Sequence, residues 1–297
     1  MGTVISNGGN MPAAVVSEMF NAVRGRSALA KLSDRMPVAF SGAAEFVFNM
    51  DSEADIVAEN GAKSNGGATA TPVVIRPVKF EYGTRVSDEF MYASEEKAMD
   101  IMRDFADGAA RKFARGFDIA AFHGNNPRTN AASAVVGTNN FDSAVTGASV
   151  IAYTSGSEAA NLESAIAAVN GGGYDVNGVA FDPEFSSALG QASVGNVALA
   201  PDYLFGGNPD TFHGMRSDVN TTVGKVATGA DKVYAYVGDF DAFRWGYASD
   251  VKFEVIEYGD PDNSGSDLKG HNQVYLRCEA YIGWGILDAA AFAKVEA

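Results

Sequence analysis

An α+β fold is predicted from three features of the sequence: a long hairpin of two alternating strands, one helical pattern far longer than a compact domain normally uses, and a closing third built of long alternating strands. With 297 residues, 46% of them hydrophobic, the chain can fill one large core or two modest ones. The first arm of the hairpin is Glu45 to Met50, where Phe46, Phe48 and Met50 share one side. A small-residue loop, Asn60 to Thr71, leads to the returning arm. There Val78, Phe80, Tyr82, Thr84 and Val86 alternate with Lys79, Glu81, Gly83 and Arg85. Pro72 and Pro77 cannot donate to a ladder, which predicts an exposed edge for this arm.

Ser87, followed by Asp88 and Glu89, reads as the N-cap of a helix. Beyond it Ala98, Ile101, Met102, Phe105, Ala109, Phe113, Phe117 and Ala120 recur near the 3.6-residue period. Unbroken to Phe122, this helix would be about 50 Å long at 1.5 Å per residue. His123-Gly124-Asn125-Asn126-Pro127 supplies its stop. A polar connection from Asn130 to Gly156 follows. Next come a helix after Ser157 with Leu162, Ala165, Ile166 and Val169 on one face, a stop at Gly171 to Gly173, and a short strand from Gly178 to Phe181. Asp182 and Pro183 then open a helix over Phe185 to Leu189. Strands return at Val233 to Val237, Val251 to Tyr258 and Val274 to Ile286.

Composition excludes several function classes. The net charge of −15, from 37 acidic and 22 basic side chains, argues against a dedicated nucleic-acid reader. It suits a container, because an acidic wall repels packed phosphate; solubility alone would also explain it. Cys278 is the single cysteine, so neither an internal disulfide nor a cysteine zinc site is possible. No apolar run reaches the ~18 residues that span a bilayer, and no secretory signal opens the chain. These features predict a soluble protein that is not exported.

Local motifs point to one family. Val86-Ser87-Asp88-Glu89-Phe90, Ala121-Phe122-His123-Gly124, the turn Phe205 to Met215, Val237-Gly238-Asp239-Phe240, and the ending from Arg277 to Trp284 with Asp288 to Phe292 stand in a set order along nearly the whole chain. Each is short, and the order is the signal. In that order the sequence resembles the tailed-bacteriophage major capsid proteins with the Hong Kong 97-like fold. The resemblance implies an α+β chain divided into an N-terminal arm (1–44), an E-loop hairpin (45–85), a peripheral domain with a long spine helix (86–124), an axial domain (125–244), and peripheral strands with the C-terminal tail (245–297). It implies a non-enzymatic subunit with no cofactor, forming pentamers and hexamers of an icosahedral shell around double-stranded DNA. The shell would be assembled in the host bacterial cytoplasm and become part of the virion. Scaffolding and portal proteins would be its partners, and no membrane is involved. Many relatives begin with a helical scaffolding segment, whereas this chain goes from Met1 into arm-like sequence. Scaffolding is therefore expected as a separate protein or a removed segment. An encapsulin-type compartment shares the fold. A hydrolase or sugar-binding domain on the α/β insert is the reading of a different class.

The candidate contact residues follow from the pattern. Phe46, Phe48, Lys63, Phe80 and Tyr82 on the hairpin are expected to meet a neighbouring subunit, and Phe105, Phe113 and Phe117 to form the spine-helix core. Some capsids of this fold join an E-loop lysine to an asparagine of a neighbour. That chemistry would pair Lys63 with Asn263 or Asn272 and use Glu254 or Glu257 to take the proton; a solvated edge charge is the plainer reading of Lys63. His123, His213 and His271 sit beside glycines in expected loops, and without a G-x-S-x-G elbow they read as turn residues. Asp260 to Gly265 imitates the start of a calcium loop, but the position of its closing glutamate is taken by His271. Gly171 to Gly173 follows a helix, so it is no phosphate cradle. Phe243, Trp245, Tyr247 and Phe253 suit core or subunit contact better than base stacking.

Overall fold

The computed structural model describes residues 26–50, 53–62, 65–89, 95–194, 197–249 and 251–297. In chain order the helices are α1 (Ala28–Leu32), α2 (Glu95–His123), α3 (Phe141–Ala144), α4 (Glu158–Gly171) and α5 (Pro183–Gln191). The strands are β1 (Ala43–Met50), β2 (Ala68–Ser87), β3 (Val150–Ala152), β4 (Gly178–Phe181), β5 (Ser193–Val194), β6 (Val197–Ala198), β7 (Thr211–Phe212), β8 (Met215–Val219), β9 (Val233–Gly238), β10 (Phe243–Tyr247), β11 (Lys252–Ile256), β12 (Gln273–Ile286) and β13 (Phe292–Glu296).

Two sheets carry the architecture. The first has β12 at its centre, with β2 along one side and β11 and then β10 along the other; β1 extends it beyond β2. β2 changes partner midway. Ala68 to Ile75 pair with β1, and Arg76 to Ser87 pair with β12. Each half of β2 is thus laddered on one side in these pairings, which is how Pro72 and Pro77 are accommodated inside a 20-residue strand.

The second sheet runs β3-β13-β9-β4-β8-β7 and is buried on both faces. Ala180, Tyr236 and Phe292 face the larger core, built from α1, α2 and the first sheet. Their chain neighbours Phe181, Val237 and Ala293 face a second core under α4 and α5. That double burial explains why the Gly178–Phe181 strand reads as a continuous apolar run. The expected caps are in place: Asp182 accepts from the Glu184 N–H at 3.0 Å with Pro183 in the first turn, and Gly172 closes α4.

Ser87 is the last residue of β2, paired with Gln273; Asp88 and Glu89 turn helically directly after it, and the described part of the long helix runs from Glu95 to His123, about 43 Å at 1.5 Å per residue. Pairing to β12 carries the alternation of Val78 to Val86 one step further than the local cap signal suggests. At the other end Gly124 adopts φ +69° and its N–H returns to Ala120 at 2.9 Å, the left-handed stop expected from the sequence.

The spine-helix core is uneven. Phe113 and Phe117 are buried, with Phe117 meeting Trp245 and Trp284 at ring distances of 5.2 and 5.7 Å. Phe105 is only half-buried, at the rim, against Tyr82 and Phe253. The described part of the expected N-terminal arm includes α1, whose Ala28, Leu29, Ala30 and Leu32 are fully buried, so this stretch is core rather than extended arm. The Asn130–Gly156 connection, expected to be polar linker, holds α3 and β3 and delivers Phe141 to the core.

Candidate functional site

The hairpin carries a row of apolar surface that has no cover among the described residues. Directly opposed residues of an antiparallel pair project to the same side. The register pairs Ala44 with Val74, Phe46 with Pro72, Phe48 with Ala70 and Met50 with Ala68, so one face of the ribbon is apolar at all eight positions. Phe46 is 63% exposed, Phe48 68% and Met50 80%, an apolar row of the kind that marks an interaction surface. Ile56, in the segment beyond β1, is almost fully exposed as well.

The other hairpin candidates divide. Phe80 is buried, over Gly116 and tilted against Trp284 at 6.3 Å, so it belongs to the chain's own core and not to an outer contact. Tyr82 is partly exposed and leans on Phe105. The physical reason is the partner switch in β2: beyond Arg76 the apolar side of the strand lies over α2. Lys63 falls outside the described residues. Of the groups considered with it, Glu254 is committed to Arg277 at 2.5 Å, and Asn272 sits in a left-handed turn.

The sheet face turned away from α2 is charged and internally paired. Lys79 meets Glu279 at 2.5 Å, and Arg277 lies between Glu254 and Glu279. Tyr275 closes over Gly83, where a Cβ would collide with its ring and hydroxyl, so no other residue fits there without moving the tyrosine. Asp260 and Asp262 turn onto Arg85 at 2.7 and 2.5 Å, and the guanidinium also donates to the Ser266 carbonyl. The hydrogen bond from Arg85 holds the Asp262 carboxyl well below the usual carboxylate range. The acidic loop is therefore organised by an arginine, and no group of three or more metal-ligating side chains occurs among the described residues.

Two buried polar junctions leave no signal in the sequence. Asp118, on α2, is fully buried and accepts from Ser27 Oγ at 2.5 Å, Ala28 N at 2.9 Å, Leu29 N at 3.3 Å and Thr222 Oγ1 at 3.0 Å. Burial pushes its carboxyl up to about 7 against the pull of these donors. His123 is the last residue of α2 and is buried, not a loop residue. Its Nδ1 lies 2.7 Å from Asp142 Oδ2 and its Nε2 2.9 Å from the Thr222 carbonyl. Burial would raise Asp142, but His123, the Tyr236 hydroxyl and Lys294 outweigh it and hold the carboxyl below its ordinary range. The pair resembles the base-and-orienter half of a hydrolytic triad. Its second nitrogen, however, is spent on a backbone carbonyl, so the imidazole ties α2 to α3 and the Thr222 turn. His271 likewise binds the Asp267 carbonyl, and His213 occupies a left-handed turn against Phe212. Burial pushes the Cys278 thiol up to about 12, which leaves it inert. Among the described residues no helix is long and apolar enough to cross a membrane.

Comparison with known proteins gives a consistent result. The sequence pattern of the phage capsid family matches residues 7–297. Among solved structures, a chain from Mycobacterium phage Ogopogo is 28% identical, with a TM-score of 0.76 over 99% of this chain and 94% of that one. One from Gordonia phage Cozz is 25% identical, with a TM-score of 0.72 over 91% and 86%. The capsid of a native GTA particle, 14% identical, shares the fold at a TM-score of 0.63 over 100% and 94%. No curated protein sequence matches.

Proposed function

The chain belongs to the phage capsid family and is a major capsid protein of the virion, and from that premise we propose that its copies form the pentamers and hexamers of an icosahedral shell that encloses double-stranded DNA. The apolar face of the hairpin carries this proposal. A two-stranded ribbon bearing Phe46, Phe48, Met50 and Val74 is not stable in water on its own account, and a neighbouring subunit is the cover its geometry suits. The role is structural rather than enzymatic: binding energy between copies is the product, and both ring nitrogens of His123 are already engaged in holding the fold. The unit boundaries expected from the sequence, the assembly in host cytoplasm, and the scaffolding and portal partners belong to the same proposal.

The test is to replace Glu59 to Thr71 with a short Gly/Ser turn. The variant is expected to keep the circular dichroism of the parent while light scattering and electron microscopy show no closed shells. Normal shells from the shortened protein would remove the hairpin from the interface and leave the proposal without its main support.

A further inference from the structure

Cations gather on one flank of the spine helix, in a chain whose net charge is −15. Between Gly108 and Phe117, α2 carries Arg111, Lys112 and Arg115 and no acidic residue. Arg111 and Lys112 are exposed and Arg115 is half-exposed. Neighbouring elements add three more. Arg26 lies 3.8 Å from Asp107, which also takes Arg111 at 2.6 Å. Arg115 donates to Thr221 Oγ1 at 2.7 Å, bringing the turn with exposed Lys225 alongside. Pro127 sits against Gly116, and Asn130 donates to the Val226 carbonyl at 2.8 Å, which sets exposed Arg128 at the same end. On the N-terminal side of this stretch α2 carries Asp104 and Asp107, and Asp107 is shared by two arginines. Lys112, Arg128 and Lys225 have no ion pair among the described residues.

We propose that this flank is the subunit's contact with double-stranded DNA, binding the phosphate backbone without reading sequence. The proposal rests on the shell reading above and assigns the flank to the inner wall. Elsewhere the acidic surface repels phosphate; here a confined cluster of long, mobile cations can neutralise it and release counterions. The surface is a convex helix flank with two turns. Its cations stand on a helix and in turns, with no strand among them to grip a peptide by its edge, so an electrostatic, shape-tolerant partner is the one it suits. Cations on long stems also allow the polymer to slide, because no contact fixes a base.

The test is binding of full-length subunits to duplexes of equal length and different sequence, across a range of salt. The parent should bind all of them alike, with affinity falling steeply as salt rises. The triple variant R111Q/K112Q/R115Q should flatten the slope of log K against log salt by about 2 to 3, at roughly 0.9 for each phosphate no longer neutralised. The control R76Q/K252Q/K269Q, with the same charge change on other elements, should keep the parent slope. An equal change in both triples, or none in the first, would overturn the assignment. So would a first triple that stops shell closure while binding DNA as the parent does, since the flank would then be a subunit contact. Displacement of the duplex by poly-glutamate at equal charge would overturn it too, in favour of an acidic protein partner. Absence of parent shells in the microscope would refute the shell reading by a separate measurement.

Discussion

The two ends of β2 teach what an apolar strand face means in this protein. By alternation, Ala68, Ala70, Pro72 and Val74 lie on the same side of the strand as Val78, Phe80 and Tyr82. At the far end that side lies under α2, and Phe80 is 8% exposed. At the near end it continues across β1, and Phe48 is 68% exposed. The pattern is the same in both places. The difference is that one half finds its cover in the helix that follows it, whereas the other has none among the described residues. Arg76, at the switch of partner from β1 to β12, separates a surface that makes the fold from the surface proposed above to make the assembly.

The most damaging substitution should be one at the covered end. Phe117 is fully buried between Phe243, Trp245 and Trp284. Phe117→Ala should cost on the order of 3 to 5 kcal/mol through reduced burial and the cavity left behind. Urea unfolding of dispersed subunits should show a lower midpoint with an unchanged slope. A cost of less than about 1 kcal/mol would mean that the helix and sheet are not the body of the fold.

Much of this division can be read from the residues alone, and the exceptions share a cause. Local signals locate the stop at Gly124, the cap at Asp182 and the alternation of the closing strands, since each is set within a few residues. Ser87 carries the signature of a helix cap and also ends a strand, and its pairing with Gln273, 186 positions away, leaves no local trace. Phe80 and Phe46 carry the same strand pattern, so periodicity cannot tell which is covered by α2. The Asp118 and His123 junctions join residues 89 to 104 positions apart, except for Asp142, and no spacing rule reaches that far. The alternating apolar pattern leads to the expectation of exposure at Phe46 and Phe48, where the structure agrees, and equally at Phe80, where it does not.

A milder perturbation tests how the covered region is tied together. Asp118 joins α1, α2 and the Thr222 turn, with its carboxyl raised to about 7 from an ordinary 3.8. A raised folded-state value means that the contribution of this group is fully present below pH ~4 and is lost as pH rises through ~7, because the unfolded chain ionises first. The parent should therefore become less stable between about pH 4 and 7, with Asp118 supplying on the order of 4 kcal/mol of the change. Asp118→Asn should flatten that pH dependence in thermal unfolding. A variant with the same pH profile as the parent would show that the carboxyl is not buried at this junction.

The gentlest change to the subunit itself carries the most information about the open end. Phe46→Ser with Phe48→Ser removes two rings that touch no core cluster of the chain, so dispersed subunits should unfold within about 0.5 kcal/mol of the parent. Surface substitutions normally sit in that range because the folded and unfolded states expose the side chain alike. Assembly should respond quite differently. If a neighbouring copy covers the ribbon, each interface is weakened by roughly 1.5 to 3 kcal/mol per ring, a cost repeated at every contact of a closed shell. Sedimentation should then show the double variant remaining as subunits or small oligomers at concentrations where the parent forms particles. Substituting Glu45 and Thr71, on the opposite side of the ribbon, should leave particle formation nearly unchanged. If both pairs behave alike, the apolar side of the hairpin has no special role, and the contrast between the two halves of β2 would be one of exposure without function.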